Sequence, residues 1–154
     1  MFAGTIRKFE SRDLEAVEEI FDLYWLGDFR HRLSERLKTE TPEFNWIVAE
    51  ENGEVVGVAA SRAAPERMKQ YATADKVVEF YVAAVKYKGR GIGTALRDFG
   101  LKAARDDGYQ EAVFFSGETH RDSWSFHDGS EFKRVGEAVA PDGERGHIWS
   151  MDLK

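Results

Sequence analysis

The chain has 154 residues, 42% hydrophobic and 32% charged, with 22 Lys plus Arg against 28 Asp plus Glu. Its net charge of −6 argues against a nucleic-acid binder, which needs a basic footprint, and is compatible with a cationic or amine substrate, solubility being the simpler reading. No apolar run approaches the roughly 18 residues of a membrane helix, and with no cysteine the chain has no disulfide, thiolate nucleophile or cysteine–zinc site.

The length fits one domain, residues 1–154, with a core of its own. The N-terminal MFAGTIRKFESRD has no apolar h-region, so no signal peptide is expected. These features predict a cytoplasmic protein with no membrane association and no metal site.

TIRKFE (5–10) reads as a first strand, and Ser11 or Asp13 can cap the first helix. In that helix Leu14, Val17, Phe21 and Tyr24 recur at helical spacing, with Glu15, Glu18 and Glu19 opposite. A second helix is predicted from Asp28 to about Lys38, with Phe29, Leu33 and Leu37 in one stripe and Pro42 closing the region. FNWIVAEE (44–51) and EVVGVAASRA (54–63) flank Asn52-Gly53, a strong hairpin signal. PERMKQYATAD (65–75) is loop-like, with room for a helical turn. KVVEFYVAAV (76–85) is apolar and β-branched enough for a central strand.

A helix comes next, with Ile92, Ala95, Leu96, Phe99 and Ala103 as its apolar stripe and Gly108 just past its end. EAVFFSG (111–117) is another strand, and THRDSWSFHDG (119–129) a short helix ending at Gly129. FKRVGEAVA (132–140) and GHIWSMDL (146–153) form a closing hairpin around Pro-Asp-Gly. The order is β-α-α-β-β-β-α-β-α-β-β, an α/β protein with one mixed sheet.

Between the central strand and its helix lies YKGRGIGTAL (87–96), with Gly89, Gly91 and Gly93 at alternate positions. A helix N-terminus presents unpaired amide N–H groups and about half a positive charge. Glycine lets a ligand approach the backbone closely. The stretch therefore reads as an anion cradle, whose usual occupant is a phosphate or pyrophosphate, with tight strand–helix packing as the alternative. Lys88 and Arg90 add charge. The spacing matches neither GxxxxGK[ST] nor GxGxxG.

KGRGIG resembles the [Q/R]xxGx[G/A] signature of the GNAT superfamily, the GCN5-related N-acetyltransferases, and the order of elements matches over nearly the whole chain. The resemblance implies a GNAT fold: a central, mostly antiparallel mixed sheet flanked by helices. It implies acetyl-CoA as acyl donor, with Lys88, Gly89, Arg90, Gly91, Ile92, Gly93 and Thr94 wrapping the pyrophosphate through backbone amides. Val82, Ala83, Ala84 and Val85 would pair with the pantetheine arm like an added strand. This strand would splay from EAVFFSG to open a V-shaped cleft, with the thioester near Tyr81 to Ala84.

The chain departs from the family pattern in three places. Lys88 stands at the usual Gln or Arg, keeping charge but losing the planar fork. AAVKY lacks the proline common after the strand. Counting back from Phe132 puts His127 at the family tyrosine, which protonates the departing thiolate, and His120 at the asparagine, grouped here with the coenzyme contacts.

Acetyl transfer to an amine requires removal of a proton, stabilisation of the acyl oxygen, and protonation of the thiolate. Glu79, in an otherwise apolar strand, is the candidate base; pairing with a cation on a neighbouring strand is its structural alternative. His127 is the candidate acid, with Tyr81 and Tyr87 as rivals; a surface histidine is the alternative. A backbone N–H near Ala83 or Ala84 would meet the oxyanion. Tyr24, Trp25, Phe29, His31 and Trp46 form an aromatic-rich set, of which Tyr24, Trp25 and Phe29 are candidates for the acceptor pocket. Core packing is the simpler reading for Tyr24 and Trp46, and His147 reads as solvent-facing.

The resulting expectation is an acyl-CoA-dependent N-acetyltransferase acting by direct attack of a primary amine, on a small molecule or a protein. A non-catalytic coenzyme A-binding module and a nucleotide-phosphate binder on another fold are the rivals. Dimers are common in the family, and the final hairpin is a candidate homodimer interface.

Overall fold

A computed structural model describes residues 2–39 and 43–154; Pro42, expected to close the second helix, lies outside them. The chain divides into two compact units, Met1–Ser61 with Val82–Lys102, and Arg62–Tyr81 with Ala103–Lys154.

In the first unit, β1 (Thr5–Lys8) pairs antiparallel with β2 (Asn45–Glu51), and β2 with β3 (Glu54–Ala63). The β2–β3 turn has Asn52 at φ 54° and Gly53 at φ 78°, both left-handed as a two-residue hairpin of this twist requires. Helices α1 (Leu14–Asp22) and α2 (Gly27–Lys38) follow β1. Of the predicted stripes, α1 buries Val17 and Phe21 with Leu14 half-buried, and α2 buries Leu33 and Leu37 with Phe29 half-buried; Tyr24 falls beyond the end of α1, and Ile20, outside the predicted stripe, is buried as well.

A 3₁₀ turn at Ser11–Asp13 precedes α1. Asp13 accepts the Glu10 amide at 2.8 Å in a reciprocal capping box with Glu10 that closes this turn, whereas at the start of α1 itself Asp13 makes no side-chain cap bond. Asp13 is buried and accepts two further bonds from Arg7, at 2.8 and 2.9 Å. Those bonds hold its carboxyl below the usual carboxylate range.

β4 (Val77–Val85) contributes its second half to this unit and leads to α4 (Ile92–Asp106). Ile92 and Leu96 pack on Ala49 and Val56. Gly57 permits this: a Cβ there would meet Ile92 Cγ2 at 2.8 Å and Leu96 Cδ1 at 3.0 Å. One expectation is corrected. Phe99 is 41% exposed and Ala103 is exposed; the buried residues in the second half of α4 are Leu101 and Ala104 instead. At about 100° per residue Phe99 and Ala103 stay within about 60° of Leu96, whereas Ala104 lies about 80° and Leu101 about 140° round the helix, so α4 changes the face it buries along its length.

In the second unit, the start of β4 pairs in parallel with β5 (Glu111–Gly117) over Val77–Glu79. β5 pairs antiparallel with β7 (Arg145–Asp152), and β7 with β6 (Lys133–Val139). A short helix α3 (Glu66–Lys69) occupies the predicted loop. Met68, Val77, Val113 and Ile148 form a core cluster. A 3₁₀ turn at Glu118–Ser123 leads into α5 (Trp124–Asp128). At the end of α4, the Gly108 and Tyr109 amides bond Arg105 and Ala104 carbonyls at 3.0 Å each, closing the helix at the expected glycine.

Lys86 N–H donates to the Val56 carbonyl at 2.8 Å, and Ala64 N–H to the Val77 carbonyl at 2.9 Å, so β3 and β4 run antiparallel. The strand order is β1-β2-β3-β4-β5-β7-β6, with β4–β5 the parallel pair in a mostly antiparallel mixed sheet. That pair needs a crossover, which α4 provides. No described helix is long and apolar enough to cross a membrane.

Candidate functional site

In the first unit the glycine run joins β4 to α4. Gly89 and Gly91 have φ 76° and 77°, whereas Arg90 between them is not left-handed. Such alternation turns successive amides to one side and forms an anion-binding concavity. Nothing lies within 4 Å of the position a Cβ would take on Gly89, so the backbone angle alone calls for glycine there. The Ala95 amide bonds the Gly91 carbonyl at 3.0 Å. Ile92, Gly93 and Thr94 therefore fall in the first turn, where helix amides have no partner further back in the helix. The residues present fit a phosphate or pyrophosphate.

The flanking cations are engaged by other side chains. Lys88 Nζ lies 5.8 Å from the Tyr24 ring centre. Arg90 pairs with Glu51 at 3.1 Å and stacks over Tyr87 at 4.6 Å. Lys86 pairs with Glu54 at 2.6 Å, and that bond holds the Glu54 carboxyl below its ordinary value and raises Lys86. Tyr87 also donates to Glu54. The sequence reading passed over both carboxylates; their only local signal is a position on either side of the Asn-Gly turn.

At the end of β4, Val82 and Ala84 are buried, Val85 half-buried and Ala83 exposed. The Tyr24 hydroxyl donates to the Val85 carbonyl at 2.7 Å. Trp25 packs edge-on against Phe21 and Phe29 at 5.8 and 5.9 Å. Trp46 stands beside Phe21 and Phe44 at 6.0 and 6.2 Å, in agreement with a packing role. His31 is on the α2 surface beside Glu35. The candidate acceptor residues Tyr24, Trp25 and Phe29 form one chain of rings, which Phe21 links to Trp46.

In the second unit Glu79 is buried and bonded to a buried arginine, Arg62 Nε, at 2.8 Å. The pairing named as the structural alternative, with a cation on a neighbouring strand, is the arrangement observed. Arg62 sits over the Tyr81 ring at 5.2 Å, so Glu79, Arg62 and Tyr81 form one assembly. Sequence reasoning missed Arg62, because its partner lies 17 residues away on another strand.

His127 is half-buried. Its ring meets Phe114 at 4.6 Å and Trp149 at 5.1 Å, and Nε2 is 3.4 Å from Ser123 Oγ. The surface-histidine alternative is thus corrected. His120 is half-buried and its carbonyl accepts the Ser123 hydroxyl at 2.8 Å. His147, expected to face solvent, is half-buried edge-on to Trp124 at 4.9 Å. Asp128 accepts the Trp149 indole N–H at 2.9 Å and pairs with Arg134 at 2.7 Å. Both bonds, the indole first, hold its carboxyl below the usual range. Among the described residues no group of three or more His, Cys, Asp or Glu could hold a metal ion.

The sequence model of the Acetyltransferase (GNAT) family matches residues 14–130, a span that contains the glycine run, Glu79 and His127. The chain belongs to the GNAT family of acetyltransferases. A 91-residue segment, 58% of the chain, is 33% identical to N-acetyltransferase family 8 member 2 of Rattus norvegicus and spans 38% of that protein. Among solved structures, a GNAT-family protein from Desulfovibrio desulfuricans shares the fold with a TM-score of 0.80. It is 16% identical, with 99% of this chain and 100% of that one covered. A protein from Salmonella typhimurium, solved with its cofactor acetyl-CoA, has a TM-score of 0.71 at 20% identity, covering 99% of this chain and 95% of that one. The GNAT fold read from the glycine run and the order of elements is the fold this chain adopts.

Proposed function

We propose that this chain transfers an acetyl group from acetyl-CoA to a primary amine of a small molecule or a protein, by direct attack of the amine. The observation that carries the reading is the alternation of left-handed Gly89 and Gly91 at the N-terminus of α4 in a GNAT-family chain. The Salmonella relative's bound acetyl-CoA supports the choice of donor. Acetyl-CoA would supply an activated thioester. Backbone amides from Lys88 to Thr94 would bind its pyrophosphate, and Val82 to Val85 its pantetheine arm. An amide near Ala83 or Ala84 would meet the charge developing on the acyl oxygen.

Glu79 would accept the amine proton from within its pair with Arg62. The His127 ring, held between Phe114 and Trp149, would give a proton to the departing thiolate; Tyr81 is the rival donor. His120 would help to hold the coenzyme. The Tyr24, Trp25 and Phe29 rings would wall the acceptor pocket.

A thermal shift with acetyl-CoA, against ATP and NAD at equal concentration, tests the donor. At about 100 times Kd the expected gain is roughly 2.7 kcal/mol, several degrees for a domain of this size. A shift with ATP or NAD instead, or none, removes the proposal. Given a shift, release of free thiol in the presence of amines tests turnover; binding without turnover across a broad amine screen would favour the coenzyme A-binding module.

A further inference from the structure

The charged side chains beside the glycine run form a connected set within the first unit. Arg90 pairs with Glu51, and its guanidinium covers the Tyr87 ring. The Tyr87 hydroxyl reaches Glu54, which pairs with Lys86. Arg90 and Lys86 therefore rest on carboxylates from either side of the β2–β3 turn.

The partners in the Arg90–Glu51 pair differ in freedom. The Glu51 side chain is 13% exposed, and its second oxygen accepts the Ala3 amide at 3.2 Å. It is held from two directions. The Arg90 side chain is 50% exposed and rises from the backbone between the two left-handed glycines. A long side chain rooted in the cradle itself can turn from the hairpin toward an anion bound there. Carboxylate and ligand would then compete for one cation.

We infer that Glu51, seconded by Glu54, sets the cradle's affinity for phosphate-bearing ligands by competing with them for Arg90 and Lys86. This rests on the coenzyme reading of the cradle, so coenzyme A is the probe. Removing a competing carboxylate leaves more net positive charge beside the cradle. Binding should tighten, and more steeply at low salt, because exposed charges are screened within about 10 Å at 0.1 M.

The test is calorimetric titration of coenzyme A into the wild type, Glu51→Gln, Glu54→Gln and Glu51→Gln/Arg90→Gln, each at two salt concentrations. Glutamine keeps an acceptor for the Ala3 amide. Glu51→Gln should bind about threefold tighter, the scale of one exposed ion pair. The gain should shrink at high salt and vanish when Arg90 is also replaced. Equal or weaker binding by folded Glu51→Gln, or a gain that persists without Arg90, overturns the inference and leaves the coenzyme reading intact. A wild type that does not bind coenzyme A overturns both. Should Glu51→Gln fail to fold by thermal melt, Glu54→Gln carries the same expectation through Lys86.

Discussion

The glycine cradle of the first unit and the aromatic cluster around His127 in the second are built by different means. The cradle is a property of backbone. Gly89 and Gly91 are left-handed with Arg90 between them, a conformation that follows from a few adjacent residues. The His127 cluster is a property of side chains brought from four places: Phe114 on β5, His127 and Asp128 on α5, Arg134 on β6 and Trp149 on β7. A phosphate cradle can therefore be written in a handful of consecutive residues. A positioned imidazole cannot, because each neighbour is fixed by a different strand register.

Substitutions in the two regions should separate binding from turnover. The largest effect is expected for His127→Phe: kcat down by about 100-fold if the ring is the proton donor, with acetyl-CoA affinity little changed. Steady-state kinetics beside direct titration would check this, and an unchanged kcat would shift the donor role to Tyr81. Gly91→Val should do the reverse. A β-branched residue is strained at this φ by at least about 1–2 kcal/mol, so acetyl-CoA Kd should rise by about tenfold or more while kcat at saturation stays near wild type.

Gly57→Ala sharpens the comparison from the packing side. Its Cβ would press on Ile92 Cγ2, in the first turn of α4. A loss of about 1–2 kcal/mol is expected, read by denaturant unfolding, with a weaker cradle as a secondary effect.

The smallest effects concern acid. Asp13 and Asp128 are both held below their ordinary values in the folded state, Asp13 by Arg7 and Asp128 by the Trp149 indole and Arg134. A lowered folded-state value contributes stability above the unfolded value near pH 3.8, and that contribution is lost as pH falls through the folded one. Melts from pH 6 to pH 2 should therefore show an acid limb that Asp13→Asn reduces more than Asp128→Asn, since Asp13 is buried and Asp128 is not. An acid limb unchanged in Asp13→Asn would remove that pair as its source.

Much of the fold was legible because its signals are local. Alternation and β-branching marked the strands, the 3.6-residue stripe marked α1, and Asn52-Gly53 marked the hairpin. The α4 stripe was misread beyond Leu96 because the helix changes its buried face there: Phe99 and Ala103 keep the helical spacing but are exposed, and Leu101 and Ala104, off that spacing, are buried. Of the candidate site, the cradle was visible as glycine spacing. Arg62, Glu51 and Asp128 were not, because nothing near them in sequence names their partners.

Sequence alone determined the strands and long helices, their order, and the place of the glycine run at the start of α4, since φ/ψ preference and hydrophobic period act over a few residues. Tertiary structure decided which side chains meet. Glu79 received Arg62 across 17 residues, Arg90 received Glu51 across 39, and the Trp149 indole received Asp128 across 21. These pairs form where strand register and helix packing bring distant residues within about 3 Å, and a through-space distance leaves no mark on neighbouring residues.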